Sequence, residues 1–221
     1  MANVYGAVAR FYDALSGERV VYRAGRECGV AILGLRPGDT VLDLACGTGL
    51  NFALLVDAVG PSGAVIGLDR SREMLEMARR RVKSNGWKNV RLVEADAMTF
   101  DPMVVVKELP AARGSVDGVF SSYAMSVFTD WHPAWDRMRA LLRAGGRACI
   151  VDMQSPVKIY RVFSPLARIA AAVGGADLKA RPWTIIEREG VDVRSVAVRG
   201  GHIRVAAATI PPNPRRGPSL G

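Results

Sequence analysis

Short apolar runs alternate with amphipathic stretches along most of the chain. Five runs, TVLDLA (40–45), AVIGLD (64–69), VRLVEA (90–95), VDGVFSS (116–122) and RACIVDM (147–153), are continuously apolar over much of their length. Runs of this kind suit strands buried on both faces, as in a parallel sheet. The stretches between them carry the helical period. Over 71–83, Met74, Leu75, Ala78 and Val82 recur on one face, while Arg72, Glu73, Glu76, Arg79, Arg80 and Lys83 fill the others. Ser71 stands where an N-cap belongs. Over 134–143 the apolar face is Trp135, Met138, Leu141 and Leu142, with Pro133 in a first-turn position that tolerates it. Repeated strand–helix–strand units predict an α/β doubly wound parallel sheet with right-handed crossovers and helices on both faces.

The end of the chain breaks this rhythm. VDVRSVAV (191–198) and HIRVAAATI (202–210) read as two strands joined by a short link, which forces antiparallel pairing. The sequence divides as one domain over 1–221. It has an N-terminal helical lid (1–38), a core (39–153), a cap insertion (154–182), a final helix and hairpin (183–210), and a Pro-, Gly- and Arg-rich flexible tail (211–221). Lid and cap could both cover the C-terminal edge of the sheet, where ligands bind in this architecture.

The chemistry concentrates in VLDLACGTG (41–49). A strand ends near Asp43, a loop of small residues follows (Ala45, Cys46, Gly47, Thr48, Gly49), and a helical stretch begins. Glycines let backbone turn tightly and approach a ligand closely. The next strand ends in Asp69, twenty residues after Gly49. An acidic side chain there can accept hydrogen bonds from both ribose hydroxyls. A nucleoside-containing cofactor is therefore expected above the first two strands. Aligning Gly47 and Gly49 to the dinucleotide fingerprint G-x-G-x-x-G puts Phe52 at the third glycine, so that reading fails. No G-K-[ST] P-loop occurs.

The pattern D-x-A-x-G-x-G resembles motif I of the class I S-adenosylmethionine (SAM)-dependent methyltransferases. VIGLDRSREMLEMARRR (65–81), VEADAMTF (93–100), VDGVFSSYAMSVFTDW (116–131) and LLRAGGRACIVDM (141–153) resemble further family elements in the right order, over roughly residues 40–155. Ala144 stands where proline is usual, and Ala45 where many members have glycine. The resemblance implies a Rossmann-like, mostly parallel seven-stranded sheet closed by a C-terminal antiparallel hairpin, with SAM as cofactor and S-adenosylhomocysteine as product. It implies that Asp43 and the loop Ala45, Cys46, Gly47 and Gly49 lie against the amino-acid portion of SAM. Asp69 would bind the ribose, Arg70 and Met74 flank the adenine, Asp96 and the backbone of Ala97 hold the adenine, and Ser121 lie near the methyl. Met74 reads equally as core, and Cys46 reads as a packing residue rather than a nucleophile.

RFYDALSG (10–17) and VVYRAGRE (20–27) resemble the lid of the ubiquinone/menaquinone C-methyltransferases and the bacterial phospholipid N-methyltransferases. That resemblance carries Tyr12 and Tyr22 over as residues approaching SAM; both could instead pack an amphipathic helix. The expected reaction is methyl transfer to a lipid headgroup amine or a lipophilic small molecule. The alternative is a quinone or natural-product C- or O-methyltransferase. RNA or protein methylation is disfavoured because SSYA (121–124) replaces the N-P-P-Y-type tetrapeptide and no appended binding domain is seen; a non-catalytic SAM-binding protein is the remaining class. His132 and Tyr123 are the candidates for a catalytic base, neither assigned. His202 is expected at the hairpin turn, away from the site.

Bulk properties add bounds. The 221 residues are 49% hydrophobic and 23% charged, with a net charge of +9. The arginines are scattered, so the charge permits contact with anionic lipid headgroups without demanding a nucleic-acid partner. Three widely spaced cysteines (Cys28, Cys46, Cys149) without a C-x-x-C argue against a disulfide framework or a zinc site, and no metal is expected. The N-terminal MANVYGAVARFYDAL lacks a long apolar core and carries Asp13, so a cytoplasmic protein is expected, with any membrane contact peripheral and at the inner face. Oligomeric state is open.

Overall fold

The computed structural model describes residues 22–110, 113–154, 177 and 179–212. Tyr12, most of the expected cap and the tail from 213 onward lie outside the described residues. Seven strands form one sheet: β1 (Thr40–Leu44), β2 (Ala64–Asp69), β3 (Val90–Glu94), β4 (Val116–Ser122), β5 (Leu142–Met153), β6 (Val191–Val198) and β7 (Ile203–Thr209), in the order β3-β2-β1-β4-β5-β7-β6. β1 to β5 pair in parallel, and β7 runs antiparallel between β5 and β6. The hairpin is thus inserted, with its second strand inside and its first at the edge.

Both faces of the central strands are covered, which explains their continuous apolar runs, while β6 at the edge is exposed. Leu42, Leu44, Ile66, Leu68, Val119 and Ile150 point to one side, under α5 (His132–Leu141) and α6 (Thr184–Glu189). Val41, Val65, Phe120, Cys149 and Val151 point to the other, under α1 (Arg23–Leu33), α2 (Phe52–Val59) and α3 (Arg72–Asn85). A one-turn α4 (Met103–Val106) follows β3. The Ser71 hydroxyl accepts from Met74 N–H, so the cap read from the sequence is present. β5 begins at Leu142, five residues before the expected strand, because Leu142 already pairs with Val116; the register then shifts before Gly118 meets Arg147. The Ala144–Gly146 stretch falls in this irregularity between the two pairs, with left-handed backbone at Gly145 (φ 70°).

The seating of α1 is set by two glycines one turn apart. A Cβ at Gly29 would stand 2.5 Å from Val151 Cγ2 and 2.9 Å from Phe120 Cε2; one at Gly25 would stand 2.9 Å from Ile203 Cγ2 and run into the Tyr123 hydroxyl. These absent side chains let α1 lie directly on β4, β5 and β7. Overpacking at such a point costs about 1–3 kcal/mol, partly offset by the better helix propensity of alanine. Gly29→Ala is therefore expected to lower the thermal unfolding midpoint by several degrees. An unchanged midpoint in a melting curve would contradict this seating.

Candidate functional site

The C-terminal ends of β1, β2, β4 and β5 meet on one edge of the sheet, because the four strands are parallel. The loop after β1 makes its turn through left-handed backbone at Ala45 (φ 54°), Gly47 (φ 55°) and Gly49 (φ 78°). At Ala45 this conformation carries a Cβ penalty of order 1 kcal/mol, the physical reason glycine is at home there. Gly49 has no room for a side chain, since a Cβ would meet the Phe52 ring at 2.5 Å. Around Gly47 a Cβ would have nothing within 4 Å among the described residues, so the loop presents bare backbone to open space there. The loop is tied to β2 by Cys46 N–H donating to the Leu68 carbonyl at 2.9 Å.

Asp69 organises this edge. Its Oδ2 accepts from Gly47 N–H at 2.8 Å and its Oδ1 from Ser71 N–H at 2.9 Å. Each oxygen keeps a second lone pair, so the carboxylate can accept two more hydrogen bonds. Further along, Asp96 Oδ1 accepts from Met98 N–H at 2.7 Å, and Arg70 lies 4.0 Å from Asp96 Oδ2 with an exposed side chain. Ala97 is buried and Met74 half-buried. Arg70, Asp96 and Asp69 thus line one continuous rim from β2 to β3.

Asp43 is wholly buried, with Asn51 Nδ2 at 2.9 and 3.0 Å from its two oxygens and at 3.1 Å from Ser122 Oγ. Burial pushes the Asp43 carboxyl up to about 7, against the pull of the Asn51 hydrogen bond and the Arg26 charge and with a smaller push from Asp69. Asn51 and Ser122 were not singled out from the sequence. Ser121 was, but its hydroxyl is buried and donates to the Leu44 carbonyl, stitching β4 to β1, while its neighbour Ser122 carries the link to Asn51 and Asp43. Strand alternation was the available signal, since adjacent strand residues face opposite ways. Cys46 is buried, and burial raises its thiol well above the ordinary range, which suits packing.

The two candidate bases fare differently. Tyr123 has left-handed backbone (φ 56°) and its hydroxyl donates to the Tyr22 carbonyl at 2.7 Å. The Tyr22 ring packs edge-on against it at 4.9 Å between centroids, and the Arg26 guanidinium lies 5.0 Å from its centroid. Burial raises the phenol far above its ordinary value, so Tyr123 holds its proton and directs it at a fixed acceptor; it is not placed to act as a base. His132 sits in the first turn of α5 with an exposed side chain, its ring stacked on Trp131 and its Nδ1 2.7 Å from Asp130. His202, expected away from the site, lies instead on the same sheet edge, 6.5 Å from the Tyr22 ring and 2.7 Å from the Gln154 carbonyl. The cause is the strand order: β7 lies beside β5, so its start meets the end of β5. A second buried acid, Asp152, accepts from Ser126 N–H, Ser126 Oγ–H and Met153 N–H, and burial raises it to about 6.

Among known proteins, residues 41–146 match the family model described as a methyltransferase domain. The chain is 31% identical over 202 residues to a demethylmenaquinone methyltransferase of Symbiobacterium thermophilum, covering 84% of this chain and 75% of that one. It is 32% identical over 172 residues to the ubiquinone/menaquinone biosynthesis C-methyltransferase of Pasteurella multocida, covering 74% of this chain and 61% of that one. A SAM-dependent methyltransferase from Aquifex aeolicus shares the fold, with a TM-score of 0.62 and 20% identity over 93% of this chain and 98% of the other. Motif, strand order and relatives agree: the chain belongs to the class I SAM-dependent methyltransferases and is related to the menaquinone and ubiquinone methyltransferases.

Proposed function

We propose that this protein methylates a lipophilic, quinone-type aromatic acceptor with SAM. The observation that carries the acceptor class is the 31% identity to a demethylmenaquinone methyltransferase over 84% of the chain. Of the two acceptor classes expected from the sequence, this favours the quinone over the lipid headgroup amine. Such an acceptor goes with a cytoplasmic protein that meets the inner membrane face peripherally.

The residues of the loop fit SAM. Bare backbone at Gly47 faces open space, and Asp69 holds two spare acceptor positions beside it. In this assignment Asp69 takes the ribose hydroxyls. Asp96 and the Ala97 backbone take the adenine between Arg70 and Met74. The Ala45–Gly49 loop carries the amino-acid portion, with Asp43 beneath it as counter-charge to the ammonium. Ser121 holds β4 against β1 under the reacting end, Tyr22 lines the acceptor side, and Tyr12 belongs to the lid. SAM supplies an already activated methyl on its sulfonium. The protein's share is alignment, which can be worth ~7–11 kcal/mol, and exclusion of water by α1 and the aromatic rings of Tyr22 and Tyr123.

The test is to supply SAM labelled in its methyl group with two acceptors side by side, a reduced isoprenoid naphthoquinone and phosphatidylethanolamine vesicles. Label is expected in the quinol. Label in the amine lipid alone would reverse the acceptor assignment.

A further inference from the structure

The geometry points to His202 as the general base of methyl transfer, acting through Nε2 on the hydroxyl of an aromatic acceptor. This rests on the acceptor class proposed above.

His202 stands just before β7, directly across from Gln154 at the end of β5. Gln154 N–H donates to the His202 carbonyl at 2.8 Å, and Gln154 Nε2 donates to the Gly201 carbonyl at 2.7 Å. The turn that carries the imidazole is thus pinned to β5 by backbone and side chain together. The ring's Nδ1 lies 2.7 Å from the Gln154 carbonyl oxygen. A carbonyl can only accept, so Nδ1 carries the hydrogen and the lone pair of the neutral ring is on Nε2. That is the tautomer a base requires, fixed by a partner that cannot itself take the proton. Among the described residues, no group hydrogen-bonds Nε2.

The surroundings fit an aromatic acceptor. Tyr123, Tyr22 and His202 form a row across the ends of β4, β5 and β7, with centroid separations of 4.9 Å and 6.5 Å. A flat ring laid along that row would have its hydroxyl toward Nε2 and its neighbouring carbon toward the β1–β4 end, where the glycine loop would hold the methyl donor. Among the described residues, the other titratable groups near the row leave the role to His202; Cys28, which also acts on Tyr123, has its thiol raised by burial. Tyr123 is committed to the Tyr22 carbonyl, and Asp152, next to Met153 on β5, is buried and holds three hydrogen bonds. The Arg26 guanidinium beside Tyr123 holds its protons at any working pH.

The step balances. Nε2 takes the hydroxyl proton as electron density moves into the ring, and the carbon beside that hydroxyl forms the new bond to the methyl. The methyl–sulfur bond breaks with its electron pair going to sulfur, and the hydrogen displaced from that carbon leaves as a proton to water, restoring the aromatic ring.

The experiment compares wild type, His202→Ala and His202→Gln in single-turnover transfer of labelled methyl to a reduced naphthoquinone. SAM affinity is measured alongside by calorimetry. Glutamine can still donate to the Gln154 carbonyl, so it keeps the pinned turn but has no base. Both variants are expected to bind SAM within about twofold of wild type and to transfer methyl about 10²–10⁴-fold more slowly. Added imidazole is expected to restore much of the rate in His202→Ala and none in His202→Gln. Transfer within about threefold of wild type in either variant, or a loss in His202→Ala that imidazole leaves unchanged, overturns the assignment while the acceptor class stands. A wild-type protein that binds SAM but transfers nothing to the quinol removes the acceptor class, and the base assignment falls with it.

Discussion

Replacing Asp69 with alanine is expected to weaken SAM binding by about 100-fold or more. A carboxylate accepting two ribose hydroxyls makes two charge-assisted hydrogen bonds, each worth about 1.5–3 kcal/mol. About 1.4 kcal/mol corresponds to a tenfold change in affinity. Asp69 also fixes the loop, since Gly47 and Ser71 N–H both donate to it. The alanine variant therefore loses direct contacts and the pinning of the glycine turn together. Asp69→Asn separates the two. Its amide oxygen can still receive one backbone N–H, so the loop is held in part, while the charge is gone. An affinity between wild type and Asp69→Ala is expected for it. Because Asp69 is only half-buried, water can satisfy the freed N–H groups, and both variants should fold. Calorimetric titration with a melting curve for each protein checks this; wild-type affinity in Asp69→Ala would remove the ribose role.

The second large effect concerns Asp43 and pH. Burial lifts its carboxyl from the ordinary 3.8 to about 7 in the folded protein. The sign follows from proton counting. Between roughly pH 4 and pH 7 the folded chain holds a proton at this site that the unfolded chain has released, so stability falls as pH rises through that window and levels off above it. At ~1.4 kcal/mol per unit, the ionised carboxyl costs of order 4 kcal/mol at pH 8. Asp152, raised to about 6, adds a smaller loss of the same sign. Asp43→Asn removes the larger of these two losses. It is expected to raise the melting midpoint at pH 8 and to change it little at pH 5, with the amide still accepting from Asn51. The same proton opposes a cationic ligand group. SAM affinity in wild type is expected to rise toward pH 7 and then flatten, by up to about tenfold per pH unit on the acid side. In Asp43→Asn it should be lower and flatter. Parallel melting curves for the two proteins from pH 5 to pH 8 would contradict the buried charge.

In the proposed role of Asp43 as counter-charge to the ligand's ammonium, this stability–function conflict explains why a carboxylate sits where a leucine would hold the fold better. β1 is buried along its whole length, yet its fourth residue is acidic. In that role the protein accepts a costly group at the point where the charged end of the ligand would be met.

Much of the architecture was legible because it is local. β2, β4 and β6 have the boundaries their apolar runs suggest, since each run is closed by polar or turn residues. The Ser71 cap and the glycine turn at 47 and 49 were legible for the same reason: backbone needs are written in neighbouring residues. The parts that could not be read locally depend on distant pairing. Nothing within Ala144–Gly146 announces that Leu142 pairs with Val116. The Asp43–Asn51–Ser122 link spans 71 residues between its last two members, so only the assembled sheet brings it together. His202 is the sharpest case. Read along the chain, it belongs to a hairpin turn; it comes beside Gln154 at the C-terminal end of β5 only because β7 pairs antiparallel with β5. Tyr123 shows the same dependence on distant pairing. Its position past β4 was read correctly, but the carbonyl that accepts its hydroxyl hydrogen bond lies 101 residues earlier.

The most direct test of the central claim is an equilibrium titration of the wild-type protein with SAM and with S-adenosylhomocysteine at pH 7.5. Saturable binding of both at one site per chain, lost together in Asp69→Ala, is the expected result. A folded wild-type protein that binds neither ligand would contradict the account, and the cofactor assignment of the glycine loop would fall with it.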